Sequence, residues 1–271
     1  MKDDNVKKLI FVIILFITAL GAFVFASYKL FAYYMAYDKI SNDDKEIYAV
    51  YESSLRELKN RSGTEDENED KDKDDDKDDD ENGGGKSEGQ SLYALKQINP
   101  DTVFFLDIPG TKIGYPVVKR DAKYYLTHTF KGETDPHGAV FMDENCDVNG
   151  DIILLHGHHM KDGTMFGGLK YFKKDDYRKD HPVIYLDDGS KISEYRISAA
   201  LMIDMTKEGY FEYTAIPEND DEKKAYLDNI KKLSFFYDKK LMEDKENDFL
   251  ILSTCDYGTA DQRMLLVSVK R

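Results

Sequence analysis

Phe249-Leu250-Ile251-Leu252-Ser253-Thr254-Cys255 starts with four apolar residues, runs into Ser253, Thr254 and Cys255, and turns polar at Asp256-Tyr257-Gly258. A short apolar run closed by a turn signal reads as a buried strand. A cysteine at its end sits where a core meets a cleft, and a strand end holds a nucleophile more rigidly than a loop does. Taken alone, Cys255 reads equally well as one more small buried apolar residue. Two neighbouring patterns change that reading. Arg263 opens the next apolar run, Arg263-Met264-Leu265-Leu266-Val267-Ser268-Val269, and a hairpin joining the two runs would set a guanidinium beside the thiol. The cluster His156-Gly157-His158-His159 follows another apolar run, residues 152–155. A nucleophile, a proton carrier and a fixed cation would then stand at strand ends.

These residues resemble the sortases, and within them class B. Leu252-Ser253-Thr254-Cys255 is similar to the family's Leu-x-Thr-Cys signature, and Arg263 stands where the catalytic arginine falls on the following strand. Gly157-His158-His159-Met160 is similar to the class B Gly-His-[His/Asn]-Met segment. Asp107-Ile108-Pro109-Gly110-Thr111-Lys112-Ile113 with Tyr115-Pro116-Val117-Val118 resembles the opening hairpin. The motifs are well separated, occur in order and span residues 98–271. Two positions depart from the pattern: Ile251 replaces a frequent Thr, and His156 replaces a frequent aromatic. The resemblance implies a membrane-anchored cysteine transpeptidase of Gram-positive bacteria, with His158, Cys255 and Arg263 catalytic and no cofactor or metal. Ser253 and Thr254, beside the thiol, are candidate substrate contacts. Its partners would be secreted proteins bearing a C-terminal sorting motif and a peptidoglycan-precursor amine. A non-catalytic envelope barrel and a hydrolytic cysteine protease are the alternative readings.

The uncharged run at residues 9–26 is close to the ~20 residues that cross a bilayer. Lys2, Lys7 and Lys8 precede it, which places residues 1–8 in the cytoplasm and the rest outside. The segment 9–27 is thus expected to be a signal anchor rather than a cleaved signal peptide, whose apolar run is usually ~7–15 residues. Residues 28–60 read as helix, with Ile47, Tyr51, Leu55 and Leu58 at helical spacing and Ser41-Asn42-Asp43 as a cap for a second helical segment. That helix is either a stalk or a spacer packed on the domain that follows.

Residues 61–91 form a low-complexity linker. Between Glu65 and Glu81 thirteen acids face three lysines, which accounts for most of the net charge of −15. Such a stretch repels itself and buries no core. An EF-hand frame starting at Asp78 fails at Gly89, where glutamate is required. A P-loop frame ending at Gly85-Lys86-Ser87 fails at Asp80, where the first glycine is required. The acidic balance also argues against nucleic acid as a partner.

Residues 92–271 read as the catalytic domain. Apolar runs at 103–106, 115–118, 139–142, 152–155, 183–186, 195–202, 249–252 and 264–269, separated by turn signals, suggest a mainly β, eight-stranded barrel. One amphipathic helix with Tyr226, Ile230 and Leu233 on one face, and lysines 223, 224, 231 and 232 outside, precedes the cysteine run. Cys146 lies among Asp143, Glu144 and Asp147, whose charges disfavour a thiolate, so it is read as incidental. His128, His137 and His181 read as surface or packing residues.

Overall fold

The computed structural model describes residues 2–63, 91–243, 248–256 and 259–271, with backbone alone for 2–9, 33, 61–63, 122, 255, 256, 259 and 260. The acidic linker therefore lies outside the described residues. The chain forms two units, one up to Glu46 and one from Ile47 onward.

The first unit belongs to α1 (Lys2–Gly63). The apolar stretch of this helix reaches a mean hydropathy of 2.7, is not buried at all, and is long enough to cross a membrane. The helix runs through Ser41, Asn42 and Asp43 without a break, so these residues cap no second segment. A capping preference is worth only about 1 kcal/mol, and continuing the backbone ladder through three residues outweighs it.

The second unit is built on a sheet in the order β5-β1-β2-β3-β4-β8-β9-β6, closed by pairing of β6 with β5. The strands are β1 (Thr102–Asp107), β2 (Gly114–Val118), β3 (Val140–Met142), β4 (Ile152–His156), β5 (Val183–Asp187), β6 (Ile192–Asp204), β8 (Phe249–Asp256) and β9 (Thr259–Lys270). A ninth strand that the sequence reading missed, β7 (Ser234–Tyr237), pairs with the middle of β6 outside the closed barrel. All eight apolar runs become barrel strands.

On β1, β2 and β3 the side chains alternate. Phe104, Leu106, Tyr115, Val117, Val140 and Met142 fill the main core, whereas Phe105, Val118 and Phe141 belong to a second cluster with Ile47 and Tyr51 of α1. Tyr51 stacks on Phe105 with centroids 3.7 Å apart, and its hydroxyl donates to Asp187 Oδ2 at 2.9 Å. From Ile47 onward, then, α1 packs on the barrel and is no bare stalk. β4, β8 and β9 are apolar on both faces, and nearly all of their buried side chains join one cluster. This is why they read as continuous runs rather than alternating ones.

α5 (Asp220–Leu233) packs against β6 and β7 and buries Tyr226 and Ile230. Leu233 stays 37% exposed, against expectation. Lys223, expected outside, is largely covered and pairs with Asp151 at 2.8 Å. Short helices complete the unit: α2 (Tyr93–Ile98), α3 (Ala122–Tyr125), a 3-10 helix (Phe166–Lys173), α4 (Asp175–Asp180) and α6 (Lys239–Met242).

Candidate active site

β8 and β9 pair antiparallel with Ser253 opposite Leu265, Thr254 opposite Met264 and Cys255 opposite Arg263. Directly opposed residues carry their Cβ atoms about 5 Å apart on one face. The expected juxtaposition of Cys255 and Arg263 is therefore a property of the backbone register. The guanidinium of Arg263 is half-buried and donates from Nη1 to the Gln262 carbonyl at 3.3 Å.

β4 runs parallel to β8 on its other side, with Leu155 level with Leu252 and His156 with Ser253. The Gly157 N–H donates to the Ser253 carbonyl at 3.2 Å and extends this ladder beyond the strand. His158 follows two residues after His156, the last paired residue of β4. The register of β8 and β9 thus sets Cys255 against Arg263, and His158 follows the end of β4 on the other side of β8.

Close packing calls for a glycine at 157. The Phe166 ring lies over it, and any Cβ there would stand 2.8 Å from Phe166 Cδ2. On the far side, Gly138 has φ +60°, and a Cβ there would meet the Tyr125 carbonyl oxygen at 2.4 Å and His158 Cδ2 at 3.1 Å. The segment from α3 to Gly138 closes against the imidazole through this glycine. His158 Nε2 lies 2.8 Å from the Leu126 carbonyl oxygen. A carbonyl only accepts, so the Nε2 nitrogen carries the hydrogen and Nδ1 is left as the nitrogen that can exchange a proton.

The other two histidines of the cluster go elsewhere. His156 Nε2 donates to Asp143 Oδ2 at 2.7 Å, with the two side chains 18% and 10% exposed. Burial pushes the Asp143 carboxyl up. Hydrogen bonds from His156 and the Asn145 N–H outweigh that and hold it below the usual carboxylate range. His159 forms a backbone bridge with Met165. Among the described residues no group of three His, Cys, Asp or Glu side chains could hold a metal ion.

Ser253 and Thr254 are 1% and 3% exposed, so neither expected substrate contact presents a side chain to the surface. Ser253 Oγ donates to Tyr213 Oη at 3.2 Å, while Thr254 Oγ1 has no hydrogen-bond partner among the described residues. Tyr213 comes from the segment between β6 and α5, and its carbonyl accepts from Tyr226 Oη at 2.8 Å. This contact was missed by the sequence reading, because Tyr213 lies forty residues from the serine it touches. Asp143 was read only as a neighbour of Cys146.

Cys146 sits in the core at 2% exposure, with Sγ accepting the Leu154 N–H at 3.3 Å. Burial first, then the Asp143 charge, pushes its thiol up to about 11, so desolvation rather than the nearby acids is the main cause. His137 is buried beside Asp135, His128 stacks on Tyr124, and His181 contacts the Pro109 carbonyl.

A family model described as the sortase domain matches residues 106–270. Sortase B of Listeria monocytogenes is 32% identical over 168 residues, which cover 60% of this chain and 65% of the Listeria protein. Sortase B of Staphylococcus aureus is 29% identical over 181 residues, covering 65% of this chain and 72% of that one. The crystal structure of Clostridium perfringens sortase B superposes with a TM-score of 0.59 at 27% identity, over 65% of this chain and 97% of that one.

Proposed function

We propose, from the premise that this chain belongs to the sortase family and to its class B branch, that it is a cysteine transpeptidase working through His158, Cys255 and Arg263. The Cys255 thiolate would attack the Thr carbonyl carbon of a C-terminal sorting motif in a secreted protein. Arg263, always charged and with a fork of donors, would stabilise the oxyanion of the tetrahedral intermediate. His158 Nδ1 would deliver the proton to the leaving amine as the C–N bond breaks, leaving a thioester on Cys255. A cell-wall precursor amine would then attack the thioester carbonyl, give its proton to His158 and release the thiolate.

The observation that supports this reading is the register in which Cys255 faces Arg263, with β4, which His158 follows, paired to the other side of β8. A free thiol has a pKa near ~8.5 and is only a few per cent thiolate at neutral pH. A fixed cation one strand away raises that fraction. For localisation, the apolar part of α1 would be a single-pass anchor with its lysine-flanked N-terminus in the cytoplasm and the barrel outside.

The test is incubation of the full chain in detergent with a library of Thr-containing peptides, with mass spectrometry of the protein, with and without an added amine. The expected result is an acyl adduct on Cys255, cleaved after Thr, that the amine discharges into a transpeptidation product. No adduct would leave a binding barrel, and an adduct released only to water would leave a protease.

A further inference from the structure

We propose that Tyr115 on β2 is a positioning residue for His158, acting through the backbone of Met165. This rests on the reading of His158 as the acid–base group.

Residues 157–167 form a closed loop, and His158 sits at its base. The Phe166 N–H donates to the His158 carbonyl at 3.0 Å, and the Gly167 N–H to the Thr164 carbonyl at 2.9 Å. His159 and Met165 pair across the loop as an isolated bridge. The Phe166 ring presses on Gly157, the residue before the histidine. Where Met165 and Phe166 sit therefore sets where the His158 backbone sits.

Met165 is held in a conformation that L-residues rarely adopt, with φ 49° and ψ −130°. Among the described residues no other non-glycine has a positive φ. Strain of this kind persists only where surrounding contacts over-determine it. Besides the bridge to His159, two contacts hold Met165. Its side chain is 4% exposed in the main core, and its N–H donates to Tyr115 Oη at 2.9 Å. Tyr115 is itself buried at 6% and paired with Leu106 in the β1–β2 ladder. A rigid strand thus clips a strained residue, and that residue is hydrogen-bonded through its neighbours to the catalytic histidine. Releasing the clip lets Met165 relax and the His158 backbone shift, while the packing of the ring on β2 stays.

Tyr115→Phe removes the hydroxyl and keeps the ring. A misplacement of about 1 Å costs on the order of a hundredfold in rate. The full chain with Tyr115→Phe is expected to lose about ten- to a hundredfold in both acyl-enzyme formation and aminolysis, because His158 serves both steps. KM is expected to stay within about twofold. In a His158→Ala background the same change is expected to cause no further loss, since its effect passes through the ring that is gone. Unchanged rates in Tyr115→Phe, or an equal loss with and without His158, would overturn the proposal. The functional reading fails separately: it falls if Cys255→Ala still turns over peptide, whatever Tyr115→Phe does.

Discussion

Gly138→Ala probes the contact that seats the His158 imidazole. Gly138 has φ +60°, where an added Cβ costs about 1–2 kcal/mol for backbone conformation alone. The same Cβ would stand 2.4 Å from the Tyr125 carbonyl oxygen, 3.2 Å from the Leu126 carbonyl carbon and 3.1 Å from His158 Cδ2. Two of these three neighbours are backbone and cannot swing aside. The Tyr125 carbonyl also accepts the Ala139 N–H at 3.0 Å, a bond worth about 1 kcal/mol that must stretch or break as the chain moves. Gly132 supplies the control within the same segment. Its φ is +80°, and a Cβ there meets Tyr124 Oη at 3.5 Å, an ordinary contact. Gly132→Ala should therefore cost only the conformational ~1–2 kcal/mol, and Gly138→Ala roughly 1–3 kcal/mol more. At about 2–4 °C per kcal/mol for a domain of this size, the two variants should differ in melting temperature by several degrees.

Activity should separate them further. Pushing the Tyr125 carbonyl oxygen and the Leu126 carbonyl carbon moves the Leu126 carbonyl that holds His158 Nε2, and a shift of about 1 Å can cost on the order of a hundredfold. Calorimetry gives the melting temperatures, and single-turnover acylation at 25 °C gives the rates. Gly132→Ala should acylate within about twofold of the parent. Parental melting and acylation in Gly138→Ala would refute the placement of this segment against His158.

The remaining predictions concern the site and its support. Arg263→Lys should be nearly as damaging in acylation as Arg263→Ala, because an ammonium lacks the planar fork; near-parental turnover would mean that charge alone is needed. His158→Ala should lose roughly 10²–10⁴ in rate, while His156→Ala and His159→Ala should stay within about tenfold, as measured for acylation and aminolysis separately. In Asp143 the folded-state pKa is lowered, so its stabilisation is present above the unfolded value near ~3.9 and is lost as pH falls through the folded value. The melting advantage of the parent over Asp143→Asn should therefore hold near neutral pH and shrink below about pH 4; an advantage that grew on acidification would contradict the His156–Asp143 bond. Tyr51→Phe removes a donor from the buried Asp187 carboxyl and should cost about 1–3 kcal/mol in denaturant unfolding with little change in turnover at 25 °C.

Much of the barrel was legible because its signal is local. Each of the eight apolar runs is a few residues long, and pleat and burial write themselves directly into the order of side chains. The lysine-led apolar run of α1 is legible for the same reason. A hairpin between adjacent runs made Cys255 and Arg263 legible as neighbours, but the choice of His158 rested on resemblance, because it lies about a hundred residues away and nothing in its spacing points to them.

What would join them is tertiary. Closure of β6 on β5 and the parallel register of β4 against β8 are pairings between backbone groups, which every residue type supplies alike. The partner of His158 Nε2 is the Leu126 carbonyl, and a carbonyl leaves no mark in a sequence. The clip from Tyr115 ends on the backbone N–H of Met165, which is equally unmarked. Asp143 and Tyr213 carry side chains that could be read, but their roles come from chain segments folded back from 13 and 40 residues away. Residue type decided which stretches enter the core. The backbone hydrogen bonds formed once they were there decided which ends face each other.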